Sequence, residues 1–387
     1  MHARWLIGFV FSVGIVLPVC RAVEPSASVK VVSDPTTHDT LAVIAPDGPL
    51  IHTTQISAMA TEPGANTAAH VVATLHGIDK TIRTAGGDPK QVIKLNVVAN
   101  TQATAEVVRG VIRKHFAGGM LPAVTFAIGK LPDPRAVIAI DAVAIGAKPF
   151  ARTKSAALLP SGPRAYISGQ AEKGTTVAEA TAKTLKSLGK TLEFLGAKPA
   201  DVIQAKCFLT PMSAAADVVC EFGTVFGANS LPIVFVEWDR TSVPIEIELI
   251  VRCPAGAALA ANGGPIEFLT PTGLSASPVF ARVTRVNSPR VIYVSGLVSP
   301  KPGTGAEEVT ELFGQLSDVL SKSGSDLRHL VKATYLVSGD DVSGKLNELR
   351  PRFYDPRRPP AASKAMVPEV AAKDRSIVVD LIAVPKP

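Results

Sequence analysis

One pattern is written three times along this chain, and that repetition limits the fold more than any other feature. Leu121-Pro122-Ala123-Val124-Thr125 recurs 110 residues later as Leu231-Pro232-Ile233-Val234-Phe235 and, after a further 128, as Pro359-Pro360-Ala361-Ala362-Ser363. The same two offsets carry Leu75, Ile78 and Ile82 to Leu185, Leu188 and Leu192, then to Phe313, Leu316 and Leu320. Steps of three and four place each trio on one face of an amphipathic helix. Gly86, Gly196 and Gly324 follow at the helix ends, where a residue able to take positive φ is expected.

Each copy continues in the same order. Ile93-Lys94, Ile203-Gln204 and Val331-Lys332 open apolar strands. A second helix follows, with Val108, Ile112 and Phe116 matched by Val218, Phe222 and Phe226; the third copy has Leu346 and Tyr354 with Arg350 between them. A proline and a strand come next, and then a closing strand written IAID, IEIE or IVVD. Two or three strands, a helix, a strand, a helix and two more strands predict an α+β unit, a mixed sheet with two helices on one face. The chain has 387 residues, 47% of them hydrophobic, enough for three such cores. The units are placed at 28–148, 152–255 and 264–385.

Residues 1–22 stand apart. His2 and Arg4 precede an uncharged apolar run from Trp5 to Cys20, and Cys20-Arg21-Ala22 resembles a small-x-small cleavage site, the pattern of a secretory signal cut near Ala22. The run is shorter than the ~20 residues a stable membrane span needs, and Leu17-Pro18-Val19-Cys20 fits a lipoprotein box less well than a cleaved signal. An exported protein, periplasmic or extracellular, is therefore expected. Loss of Arg4 and Arg21 would lower the formal charge from +7 to +5. Scattered charge with 5% aromatic residues argues against nucleic-acid binding. Cys207, Cys220 and Cys253 have no metal-ligand spacing, and a Cys220–Cys253 disulfide stays open. His52, His70, His76, His115 and His329 form no metal pattern, and no glycine-rich loop has a phosphate-binding context, so no metal and no cofactor are expected.

Tyr166-Ile167-Ser168-Gly169-Gln170, a helix, Leu195-Gly196, Val202-Ile203, a Leu-Pro before a strand and IEIE at the end together resemble the YjgF/RidA family. The resemblance covers nearly all of the chain after residue 22, three times over. It implies chorismate-mutase-like domains, which in this family form homotrimers with ligand clefts between neighbours. Three such domains in one chain imply a single-chain pseudo-trimer, a monomer with internal threefold symmetry.

In the deaminating members of the family the strand after the proline begins Pro-Ala-Arg, and that arginine holds the substrate carboxylate with its planar fork. Counted from the proline, Val124, Val234 and Ala362 stand at that position here. The resemblance further implies cleft walls at Tyr166, Ser168-Gly169 and Ser295-Gly296, with Thr54 in the first copy, and a water-orienting carboxylate in the closing strand at Asp141, Glu248 or Asp380. Those acids can equally form salt bridges between domains. Lys364, two residues beyond Ala362, points to the same side of a regular strand and offers a replacement cation. Three functions fit these residues. The first is binding of a small molecule, such as a carboxylate, without the usual imine deaminase mechanism; the second is an imine or enamine hydrolase with a different substrate anchor; the third is a structural protein whose clefts are filled. Endoribonuclease activity gains little support.

Overall fold

The computed structural model describes residues 28–59, 66–227, 231–239, 241–254 and 264–387; the expected signal segment, 1–22, lies outside them. The first copy runs β1 (Lys30–Ser33), β2 (Thr40–Ala45), β3 (Leu50–Thr53), α1 (Thr67–Thr84), β4 (Val92–Ala99), α2 (Gln102–His115), β5 (Ala123–Ile128) and β6 (Ile138–Ile145). The second runs β7 (Ala156–Leu159), β8 (Arg164–Gln170), α3 (Val177–Phe194), β9 (Val202–Leu209), α4 (Ala215–Phe226), β10 (Ile233–Glu237) and β11 (Ile245–Arg252). The third runs β12 (Ile266–Leu269), β13 (Val283–Val286), β14 (Val291–Val298), α5 (Gly305–Lys322), β15 (Leu330–Val337), α6 (Asp340–Phe353), β16 (Ala361–Met366) and β17 (Ile377–Ala383).

Local chemistry sets the long helices. Asn66, Thr176 and Thr304 accept from backbone N–H groups in the first turns of α1, α3 and α5, and Glu307 completes a capping box on α5. Gly86, Gly196 and Gly324 take φ of 77°, 66° and 74° just beyond the three helices, a conformation that any side chain would strain. The apolar trios read from the sequence are buried against the sheets, one core per copy.

Sheet membership differs from the simple order of the copies. The sheets run β5-β4-β6-β3-β7, β10-β9-β11-β8-β13-β12 and β1-β2-β14-β17-β15-β16. The leading strand or strands of each copy thus complete the sheet of the preceding one: β7 pairs with β3, β13 with β8, and β2 with β14. The exchange covers strand edges that would otherwise present unpaired N–H and C=O groups.

The faces opposite the helices meet one another. Each central strand has a bulge, at Ile93, Ile203 and Val331, that turns an extra apolar side chain inward. These three share a core with Leu50, Tyr166 and Tyr293. Farther along the same strands, Val98, Phe208 and Leu336 form a second shared core. Side chains from all three sheets make up both layers, and between them lies a polar one.

Candidate functional site

The polar layer comes from inward positions of the central strands: Lys94 and Asn96 on β4, Gln204 and Lys206 on β9, Lys332 and Thr334 on β15. Asp141, Glu248 and Asp380 on the closing strands stand opposite Asn96, Lys206 and Thr334. Lys94, Lys206, Lys332, Glu248 and Asp380 line a chamber of ≈ 40 Å³. The Lys94 Nζ lies 2.6 Å from Asp380 and donates to Thr125 Oγ1 and to the Val294 carbonyl, both at 2.7 Å. Lys332 Nζ donates to Glu248 Oε2 at 2.6 Å, and Lys206 Nζ lies 3.8 Å from Asp380. Asn96 Nδ2 donates to Asp141 Oδ2 at 2.8 Å.

Burial pushes the Asp141 carboxyl up to about 6, with Lys206 opposing. For Asp380 burial acts upward too, but the charges of Lys94, Lys206 and Lys332 hold it well below the usual carboxylate range. Burial depresses Lys94 and Lys332, while the surrounding carboxylates outweigh the same effect at Lys206. The three acids proposed to orient water in clefts therefore lie in the inner polar layer, where Glu248 and Asp380 line the chamber and form salt bridges between copies. Tyr166 packs in the shared apolar core, fully buried.

The clefts lie at the outer seams between copies. Three hydroxyls occupy equivalent places: Thr54 Oγ1 accepts from the Ile233 N–H at 3.3 Å, Ser168 Oγ from Ala362 at 2.7 Å, and Ser295 Oγ from Val124 at 3.1 Å. The walls therefore meet first to second, second to third and third to first. Register explains why Ile233 rather than Val234 takes part. Val124 stands opposite Leu95 and Ala362 opposite Ala333, but Ile233 stands opposite Ala205, and Val234 is aligned with Lys206. The second edge strand is slipped by one residue relative to the others, which sends Val234 to the inward face. Its unbroken apolar run, Ile233 to Val236, has no alternation to fix the register.

The three seams differ. Thr54, Gln55, Ile233 and Phe235 line a cavity of ≈ 410 Å³ between the first and second copies, where Gln55 Nε2 donates to the Phe235 carbonyl at 3.0 Å. Between third and first, Ser295, Gly296, Val124, Phe126, Arg109 and Ile112 line one of ≈ 190 Å³. There Arg109 packs 4.2 Å over the Phe126 ring, and Arg113 is paired with Asp39. A Cβ on Gly296 would stand 3.1 Å from the Thr125 backbone.

Between second and third, Ser168, Gly169, Ala362 and Ser363 meet Glu246. A Cβ on Gly169 would come 1.9 Å from Glu246 Oε1, so the carboxyl occupies the space that a side chain there would take. Burial raises Glu246 to about 7, while a hydrogen bond from Ser363 opposes the rise. The pairing of β11 with β9 and its counterparts places Ala139 and Val378 where Glu246 stands. Glu246 was not singled out from the sequence, although IEIE differs from IAID and IVVD at this letter. Lys364 is half-buried and donates to Ser343 Oγ at 2.8 Å in its own copy. Cys207, Cys220 and Cys253 are free. Among the described residues, no group of three His, Cys, Asp or Glu could hold a metal ion, and no helix is long and apolar enough to cross a membrane.

Fold and seams together define an α+β protein with three mixed sheets and hydroxyl-lined seams between the copies. No protein-family model matches the chain. The 2-iminobutanoate/2-iminopropanoate deaminase of Rattus norvegicus is 31% identical over 107 residues, which span 25% of this chain and 75% of the deaminase. The deaminase of the same description from Mus musculus is 29% identical over 102 residues, 24% of this chain and 73% of that protein. Among solved structures, YyfB of Yersinia pestis, described as a Rid-family protein of unknown function, is 18% identical, covers 31% of this chain and 98% of its own, and has a TM-score of 0.29. The chain belongs to the YjgF/RidA family, and matches of about a quarter of its length fit its tandem repeats.

Proposed function

We propose that this chain is an exported, single-chain pseudo-trimer that binds a small molecule in the cleft between its second and third copies, with little of the imine deaminase activity of its relatives. The observation that carries the choice of cleft is Glu246. It is an acid held near neutrality by burial, set against Ser168-Gly169 of its own copy and Ser363 of the next. The other two seams have Ala139 and Val378 in its place. Apolar residues at Val124, Ile233 and Ala362 argue against the motif-based deaminase mechanism, because no guanidinium rises from the edge strand.

The pseudo-threefold reading, with domains at 28–148, 152–255 and 264–385, is supported by the cyclic exchange of strands and by the three hydroxyl-to-amide contacts that run around the same cycle. Export is supported by the residues before Ala22 alone. A second reading, hydrolysis of an imine or enamine with a different anchor, is favoured by the same Glu246, whose pKa suits a general acid or base at neutral pH.

Assaying the chain from residue 23 onward with 2-iminobutanoate separates the two readings. The binding reading expects turnover near the uncatalysed rate. Clear turnover that falls in Glu246→Gln and persists in Glu248→Gln would establish the hydrolase. Turnover indifferent to Glu246→Gln would remove this cleft from either account.

A further inference from the structure

The second helices of the first and third copies, α2 and α6, are 14 residues each and align position for position on the repeat offset, Ile112 with Arg350. Strand register likewise places Phe126, opposite Val97, where the third copy has Lys364, opposite Tyr335. Ile112 and Phe126 are apolar walls of the cavity between the third and first copies. At the equivalent seam between second and third, both walls are cations.

Arg350 is 4% exposed. Its Nη2 donates to Asn347 Oδ1 at 3.1 Å, and its guanidinium carbon lies 5.2 Å from the centre of the Tyr335 ring. The Nε and Nη1 groups are buried and meet no acceptor in good hydrogen-bond geometry; the Tyr335 hydroxyl, also buried, is the oxygen whose ionisation the guanidinium eases. Lys364, whose pKa is depressed by burial and then by the Arg350 charge, adds a second cation rather than a counter-charge. Leaving a guanidinium buried with open donors is strongly unfavourable, and a chain needing only packing at this point could keep isoleucine, as the first copy does. Ala362 is the smaller residue where Val124 stands in the other cleft.

We infer that Arg350 is the anion anchor of the cleft between the second and third copies, a fork supplied from helix α6 instead of the edge strand, which with Lys364 takes a small ligand bearing one oxyanion group, carboxylate or tetrahedral. The inference rests on the reading that this cleft is the ligand site. Glu246 borders this cleft from the other face of the edge strand, bonded to Ser363, whose side chain alternates with those of Ala362 and Lys364.

Acetate and selenate serve as probes, the second located by its anomalous scattering. Crystals of wild type and of Arg350→Met are soaked with each, and affinities are measured by thermal-shift titration at low salt. Expected are density against Arg350 in the wild type, affinity lost by about tenfold or more in Arg350→Met, and a higher melting temperature for ligand-free Arg350→Met, because the variant removes an uncompensated buried charge. A purely structural arginine would give the opposite shift in melting. Either probe bound in this cleft with affinity unchanged by Arg350→Met overturns the anchor while leaving the cleft reading intact. Neither probe in this cleft, in crystals or in solution, overturns both.

Discussion

Lys332 of the third copy and Glu248 of the second meet at 2.6 Å in the layer between the two shared apolar cores, each almost wholly removed from solvent. The pair ties β15 to a strand of another sheet, so its stability bears on how the three sheets stay together. Removing one member leaves the other buried without a counter-charge, which costs roughly 3–5 kcal/mol, whereas an apolar pair of similar volume can be near neutral. Glu248→Leu and Lys332→Met should each lower stability strongly. The double variant Glu248→Leu/Lys332→Met should recover much of it. Urea denaturation of the four proteins gives the coupling, and additive losses would show that the pair is not energetically linked.

Asp141 sets a pH dependence of defined sign. Its folded value of about 6 lies above the ordinary 3.8, so the native state binds this proton more tightly than the unfolded chain does. Its burial carries no penalty below pH 3.8; the penalty grows as pH rises toward 6 and is constant above. At about 1.4 kcal/mol per unit, the full effect is roughly 3 kcal/mol. Asp141→Asn, which keeps an acceptor for Asn96, should match wild type near pH 4 and exceed it by that order at pH 7. A stability difference that does not vary between pH 4 and 7 would count against this assignment.

Much of the fold was legible because local rules sufficed. The trios headed by Leu75, Leu185 and Phe313 follow the helical period, and Gly86, Gly196 and Gly324 mark the turns that need positive φ. Strand exchange was not legible, since pairing β2 with β14 joins residues some 250 positions apart and no pattern within either strand names its partner. Spacing from Pro232 pointed to Val234, but an apolar run without alternation slipped by one residue and brought Ile233 to the cleft. At the site, the visible signals were departures from the repeat: Glu246 among IAID, IEIE and IVVD, and Arg350 interrupting an apolar helix face.

Strand exchange predicts what the N-terminal strands do. Residues Ala42 to Ala45 pair with Val291 to Val294, and Ser295 Oγ donates to the Thr40 carbonyl at 2.5 Å. A chain beginning at residue 47 loses β1 and β2 and bares the edge of β14, which invites pairing with another molecule. It should associate further than the intact chain does, by light scattering, and a synthetic peptide spanning residues 28–46 should reverse that association by adding the missing strand. A monomeric truncated chain of unchanged melting temperature would mean that the exchange contributes little.

The last prediction moves the fork. Ala362 and Arg350 lie on the edge strand and the facing helix of the same cleft, and a guanidinium in either place could meet an anion held beside Ser168. Ala362→Arg alone would crowd a second guanidinium against Arg350 and Lys364, three cations in a buried seam, and should destabilise the fold. Arg350→Ile alone, which copies Ile112, should fold well and lose affinity for acetate. The double variant Ala362→Arg/Arg350→Ile exchanges the two, returns the arginine to the edge strand, and should bind acetate more tightly than Arg350→Ile. If the strand position also aligns a substrate imine with the Glu246 carboxyl, turnover of 2-iminobutanoate should rise above that of wild type, and only while Glu246 is present. Acetate affinity and turnover are measured on the same four proteins and on the double variant with Glu246→Gln. A double variant that binds acetate no better than Arg350→Ile would show that the strand position no longer faces the ligand, and that the cleft has been rebuilt beyond a change of anchor.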